Sequence, residues 1–155
     1  MSRNNHKVAR SFAGGLLALL LSSGNVAAGG NELAVVVNIK NATTKLSKNE
    51  LRRIFQTTKT TWDGGGNISP VNLPESNELR QAFDKVVLGW DKDEVAKYWT
   101  DRKIRGGTRP PRKAPSTTAA AKLVEEDVGA IGYVKTNEVT ANLRKVALVR
   151  GGDVL

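Results

Sequence analysis

The sequence has no cysteine, a single histidine at position 6, one methionine, five prolines and only 5% aromatic residues in 155. Without cysteine there can be no disulfide framework, thiol nucleophile, thiolate metal site or acylated lipoprotein anchor. Acids are also in the minority, 15 against 24 Lys plus Arg, for a formal charge of +9. No hydrophobic run reaches the roughly 20 residues that span a bilayer. The 39% hydrophobic and 25% charged residues are enough to build one soluble globular domain.

Arg3, His6, Lys7 and Arg10 precede an apolar run from Phe12 to Leu21, followed by small and polar residues through Gly29. This is the pattern of a secretory signal peptide over residues 1–28, with cleavage expected after Ala28 behind Val26 and Ala27. Cleavage removes the histidine with Arg3, Lys7 and Arg10, leaving 21 basic against 15 acidic residues, a formal +6. The product, residues 29–155, is expected to be periplasmic or extracellular. It can build no Ser-His-Asp triad, Cys-His pair or histidine zinc site, so no enzyme, cofactor or metal is expected. Export also argues against nucleic acid as the partner of the positive charge and leaves small anions as its natural counterpart.

Leu33 to Ile39 is a β-branched apolar run that predicts a buried strand. Ser47 to Glu50 has capping-box spacing between the staple residues Leu46 and Leu51, and Leu51, Ile54 and Phe55 give the helix its buried face. A turn-rich loop over 57–67 carries Trp62. Ile68 to Leu73 predicts a second strand, and a helix from Ser76 buries Leu79, Ala82, Phe83, Val86 and Val87 before stopping at Gly89. Asp91 to Glu94 repeats the capping box, with Val95, Tyr98 and Trp99 as the next buried stripe. Pro110, Pro111 and Pro115 predict no regular structure over 108–115. Ser116 caps a helix over 117–127 with Leu123, Val124 and Val128 inward and Gly129 as its stop, and strands follow at 130–134 and 146–149. The order predicts a single three-layer α/β domain, a mixed sheet of about four to five strands with about four helices.

In such sheets ligands sit beyond the carboxyl ends of strands, where helices begin. Between Arg102 and Lys113 there are six basic residues and no acid, including Arg105, Arg109 and Arg112, and the segment runs into Ser116 and Thr117. Guanidinium forks, hydroxyls and unpaired helix-start N–H groups suit an oxyanion, and Gly106 and Gly107 let backbone amides approach it. A second helix start, at Ser76 and Asn77, offers a hydroxyl and an amide beside Glu75, although capping alone accounts for Ser76. The acidic clusters at 91–94 and 125–127 are read as capping and solvation rather than as catalytic pairs. Trp62, Trp90, Tyr98, Trp99 and Tyr133 are read mainly as packing residues.

With these elements placed, the chain resembles the type II periplasmic binding proteins, specifically the phosphate-binding component of the phosphate ABC transporter. The resemblance is carried by Leu46 to Phe55 with Trp62, the turn-helix from Pro74 to Phe83, Arg105-Gly106-Gly107, and Gly129 to Val134. It implies one lobe of a two-lobed receptor, with Ser76, Asn77, Arg105, Gly106, Gly107, Arg109, Arg112, Ser116 and Thr117 as candidate oxyanion donors. Where the family turn reads Arg-x-Asp-Gly-Ser-Gly-Thr, this chain has Leu73-Pro74-Glu75-Ser76-Asn77-Glu78-Leu79. The expected partners are a small oxyanion, phosphate foremost, and a membrane permease or another envelope protein, with a homodimer as one way to rebuild the cleft. The alternative expectation is a non-catalytic interaction module whose ligand site has degenerated.

Overall fold

The computed structural model describes residues 32–155, so the expected signal peptide and its cleavage point lie outside the described residues. The elements run β1 (Leu33–Asn38), α1 (Lys48–Phe55), β2 (Ser69–Asn72), α2 (Glu78–Phe83), α3 (Lys92–Ile104), β3 (Arg112–Lys113), α4 (Thr117–Glu126), β4 (Ala130–Lys135), β5 (Leu143–Arg150) and β6 (Asp153–Val154). They form one mixed sheet in the order β3-β2-β4-β1-β5-β6. β2 is parallel to both β3 and β4, whereas β1 lies antiparallel between β4 and β5.

All six residues of β1 are buried, as expected of a β-branched strand covered on both faces. On one face lies α4, tied down by Asn38, whose amide nitrogen donates to Val124 O at 3.1 Å and Glu125 O at 2.8 Å. Those are carbonyls of the helix's last turn, which need outside donors. On the other face Phe55 of α1, Phe83 of α2 and Tyr133 of β4 form an aromatic cluster, with Phe83 and Tyr133 stacked at 4.0 Å. This is an open three-layer α/β domain.

Both capping boxes are present. Ser47 N donates to Glu50 Oε2 at 2.9 Å, and Asp91 N donates to Glu94 Oε2 at 2.8 Å. Several expectations need correction. Six strands form rather than four or five, because the Gly151-Gly152 pair, both at positive φ, turns the chain into the short β6. The proline-rich segment also holds a strand: Arg112 and Lys113 lie between Pro111 and Pro115 and pair with Val71 and Asn72. The second helix is capped by Asn77 instead of Ser76. Asn77 N bonds Pro74 O in a tight turn, which leaves the Asn77 side chain to accept from Leu79 N and Arg80 N. Beyond Phe83 the helix widens into a π turn over Asp84–Leu88 that ends on Gly89 at φ 75°. Tyr98 and Trp99 are only half-buried, and Val128 is 48% exposed. Gly129 does not stop α4, which ends at Glu126; a Cβ on Gly129 would stand 2.4 Å from Asn67 O, so the position serves close backbone approach.

Candidate functional site

Because β2, β3 and β4 run in parallel, their carboxyl ends share one edge of the sheet, and the turns into α2 and α4 leave from that edge. Register decides which side chains meet there. Val71 pairs with Arg112 and Asn72 with Lys113, and Ala114 N extends the ladder to Asn72 O at 2.8 Å. Strand side chains alternate between faces. Val71 faces α4, as its Cβ lies 3.6 Å from the Cβ that Gly132 would carry, beside Val124. Asn72 therefore faces the α2 side, and Lys113 belongs with it.

Asn72 is 3% exposed. Its side-chain oxygen accepts from Leu73 N at 3.0 Å and from the Tyr133 hydroxyl. Burial pushes the Tyr133 phenol far above its ordinary range, so the hydroxyl keeps its proton and stays a donor. The Asn72 amide nitrogen is thereby turned toward a cleft that Asn72 helps to line, and it makes no hydrogen bond among the described residues.

Arg80 lines the same cleft and is also 3% exposed. Its Nη1 donates to Leu73 O at 2.8 Å and its Nε to Asp84 Oδ2 at 2.5 Å, which leaves Nη2 without a protein partner. Asp84 Oδ1 is buried without a partner, and burial raises the Asp84 pKa despite the Arg80 charge beside it. On the outer lip Lys113 Nζ lies 2.8 Å from Glu75 Oε1, and this contact holds the Glu75 carboxyl below the usual range. The cleft has a volume of about 160 Å³, and Val95, Ala96, Trp99, Pro110 and Pro111 complete its lining. Trp99 and Pro110 also border a shallower depression of about 460 Å³ that extends to Gly107 and Arg109.

The expected donors fall into two groups. Ser76, Asn77, Arg112, Ser116 and Thr117 stand at the shared carboxyl edge, although the register turns Arg112 to the face opposite Lys113. Arg105, Gly106, Gly107 and Arg109 lie past the carboxyl end of α3, all exposed, and Arg105 is paired with Asp101 at 2.9 Å. Gly107 and Arg109 line the depression beside Trp99, which none of the first group borders.

The start of α4 is already engaged. Ser116 Oγ accepts from Ala119 N at 3.1 Å, and the Thr117 and Thr118 hydroxyls donate to Glu138 Oε1 at 3.0 and 3.4 Å. Asn77 is spent on capping, while the exposed Ser76 hydroxyl makes no hydrogen bond among the described residues. Sequence reasoning missed Asn72 and Arg80, and Lys113, although it closes the basic segment singled out from the sequence, was not among the expected donors. One signal was available: Arg80 shares a helix face with Phe83 and Val87, a buried place that an arginine occupies only with partners.

A family model described as a PBP superfamily domain matches residues 23–155. Among curated proteins none matches the chain. Several solved structures share its fold. An ABC-type phosphate transport receptor from Vibrio cholerae aligns with a TM-score of 0.60 at 20% identity, over 75% of this chain and 45% of the receptor. A phosphate ABC transporter substrate-binding protein from Clostridium perfringens, with phosphate bound, gives 0.61 at 21% identity over 75% and 44%. PstS from Borrelia burgdorferi gives 0.58 at 15% identity over 81% and 53%. The chain thus spans about half the length of these structures.

Proposed function

The chain belongs to the PBP superfamily, and from that premise we propose that it is an exported, non-catalytic solute-binding domain that recognises phosphate or another small oxyanion. The observation that carries this reading is the pair of buried donors, Asn72 and Arg80, beside Lys113 at the carboxyl edge of the parallel strands. The Asn72 amide nitrogen and the Arg80 Nη2 have no protein partner among the described residues and are not shut away from solvent, so both are open to an acceptor in the cleft. An oxyanion accepts from both, and Lys113 adds charge. Ser76 lies on the next turn, with its hydroxyl free to contribute.

The similarity to phosphate receptors supports phosphate as the first ligand to test and a membrane permease as the protein that takes it up. The domain of residues 29–155 released by signal cleavage is read as the working unit, in the periplasm or outside the cell. A second wall closing over the cleft, such as another copy of the chain could supply, would seal the ligand from water and strengthen binding.

The test is a thermal-shift or calorimetric titration with phosphate, sulfate and nitrate. Saturation to a hundred times Kd adds about 2.7 kcal/mol of stability. Absence of any shift at millimolar anion overturns the reading. The alternative is a non-catalytic interaction module with a degenerate site, and one observation favours it: the Glu138 carboxylate already occupies the hydroxyls at the start of α4.

A further inference from the structure

The lining of the cleft is mixed. Beside Asn72, Glu75, Arg80 and Lys113 it carries Val95, Ala96, Trp99, Pro110 and Pro111. A bare inorganic oxyanion gains nothing from those apolar groups, which displace its water and give no hydrogen bond in exchange. An aromatic ring left half-buried beside two prolines gives a flat surface of the kind that favours an organic body.

Trp99 and Pro110 border this cleft on one side and, on the other, the depression lined by Thr100, Gly107 and Arg109. The α3 face that carries Trp99 is sparsely covered, since Val95 is its only fully buried residue. Tyr98, its neighbour, meets the Trp99 ring edge-on at 4.9 Å between centroids and is itself held by its hydroxyl, which donates to Gln56 O at 3.0 Å, and by the Arg102 guanidinium 5.6 Å from its ring. Those contacts fix α3 and the Trp99 ring that lines the cleft.

We infer that the ligand is an oxyanion carried on an apolar body, such as an organic phosphate monoester: its charged head sits on Asn72, Arg80 and Lys113 and its body lies along Trp99 and Pro110. The inference rests on the oxyanion reading above and narrows it from a bare ion to an amphipathic anion.

The experiment is calorimetry on the full chain with inorganic phosphate, methyl phosphate, phenyl phosphate and phenol. The expected order is phenyl phosphate at least tenfold tighter than inorganic or methyl phosphate, with phenol below detection. Trp99→Ala abolishes the phenyl advantage, read as the ratio of phenyl phosphate to inorganic phosphate affinity in the same variant, and Trp99→Leu, which keeps apolar volume at that position, retains part of it. Lys113→Met weakens every anion alike. Equal affinity for inorganic and phenyl phosphate overturns this inference and leaves the oxyanion reading standing, a comparison that needs no variant to fold. A phenyl advantage that survives both Trp99 substitutions also overturns it. If no anion binds, both fall. If phenol binds as well as phenyl phosphate, the cleft is an apolar groove without a headgroup site and both are again overturned.

Discussion

Lys113 and Glu75 are 38 residues apart in sequence, yet Nζ and Oε1 meet at 2.8 Å across the mouth of the cleft, because β3 pairs in parallel beside β2. The carboxylate occupies the ground that an incoming anion needs. Both side chains are about half exposed, and an ion pair in that setting is held weakly. It can act as a competitor without acting as a permanent plug.

Glu75→Gln is therefore expected to raise sulfate affinity about three- to tenfold, measured by calorimetry at pH 7. Sulfate is the useful probe, as its charge is constant over the range that matters. Lys113 holds the Glu75 pKa below the ordinary value of about 4. The stability from this contact is thus present above that value and lost as pH falls through the lowered one. Wild-type affinity for sulfate should climb as the carboxyl is protonated below about pH 4, and the Gln variant should show no such climb.

Arg80→Met removes the partner of a buried carboxylate. The loss at pH 7 should be about 3–5 kcal/mol in urea unfolding, the range for breaking a buried pair from one side. Asp84 already has a raised pKa through burial, and losing Arg80 raises it further. A raised pKa gives stability that is full below the ordinary aspartate value, roughly 4, and lost as pH rises through the folded-state value. The deficit of the variant should accordingly shrink between pH 7 and pH 4.

Glu138→Ala releases the Thr117 and Thr118 hydroxyls and the Lys135 amide, which donates to Glu138 Oε2 at 3.1 Å. Loss of these bonds should lower stability by about 1 kcal/mol, a fall of roughly 4 °C in Tm. Anion affinity should stay within twofold of wild type, because the proposed donors lie on β2, α2 and β3 rather than at the start of α4. A gain of tenfold would instead place the anion at Ser116 and Thr117.

Gly129→Ala puts a Cβ 2.4 Å from the Asn67 carbonyl oxygen, where backbone must move, and should cost about 3 kcal/mol. Gly132→Ala meets the Val124 side chain at 3.2 Å, a neighbour that can shift, and should cost about 1 kcal/mol or less. Parallel thermal melts of the two variants distinguish these cases.

Local signals carried much of the architecture. The boxes at Ser47–Glu50 and Asp91–Glu94 were legible because each is closed by residues three apart, and β1 because its β-branched run leaves little alternative. What could not be read was decided at long range. Proline-flanked Arg112 and Lys113 become a strand only because β2 offers its edge, and that same register selects Lys113 over Arg112 for the cleft. Asn77 displaces Ser76 as the cap through a turn closed on Pro74 O. Arg80 joins the site because Leu73 O, 7 residues earlier, and Asp84, 4 later, both converge on its guanidinium. Gly129 looked like a helix stop, yet the constraint on it comes from Asn67, which is remote in sequence.

The antiparallel insertion of β1 has a practical consequence. Leu33 pairs with Lys135 on one side and Val149 on the other, so the first described strand begins at the edge where β2 and β3 finish, about two strand spacings or roughly 10 Å from β2. An affinity tag, fluorophore or surface linkage joined just ahead of Glu32 would crowd the binding mouth. Handles for immobilisation belong on the far rim, around Gly64 to Gly66, where they leave the ligand's approach unobstructed.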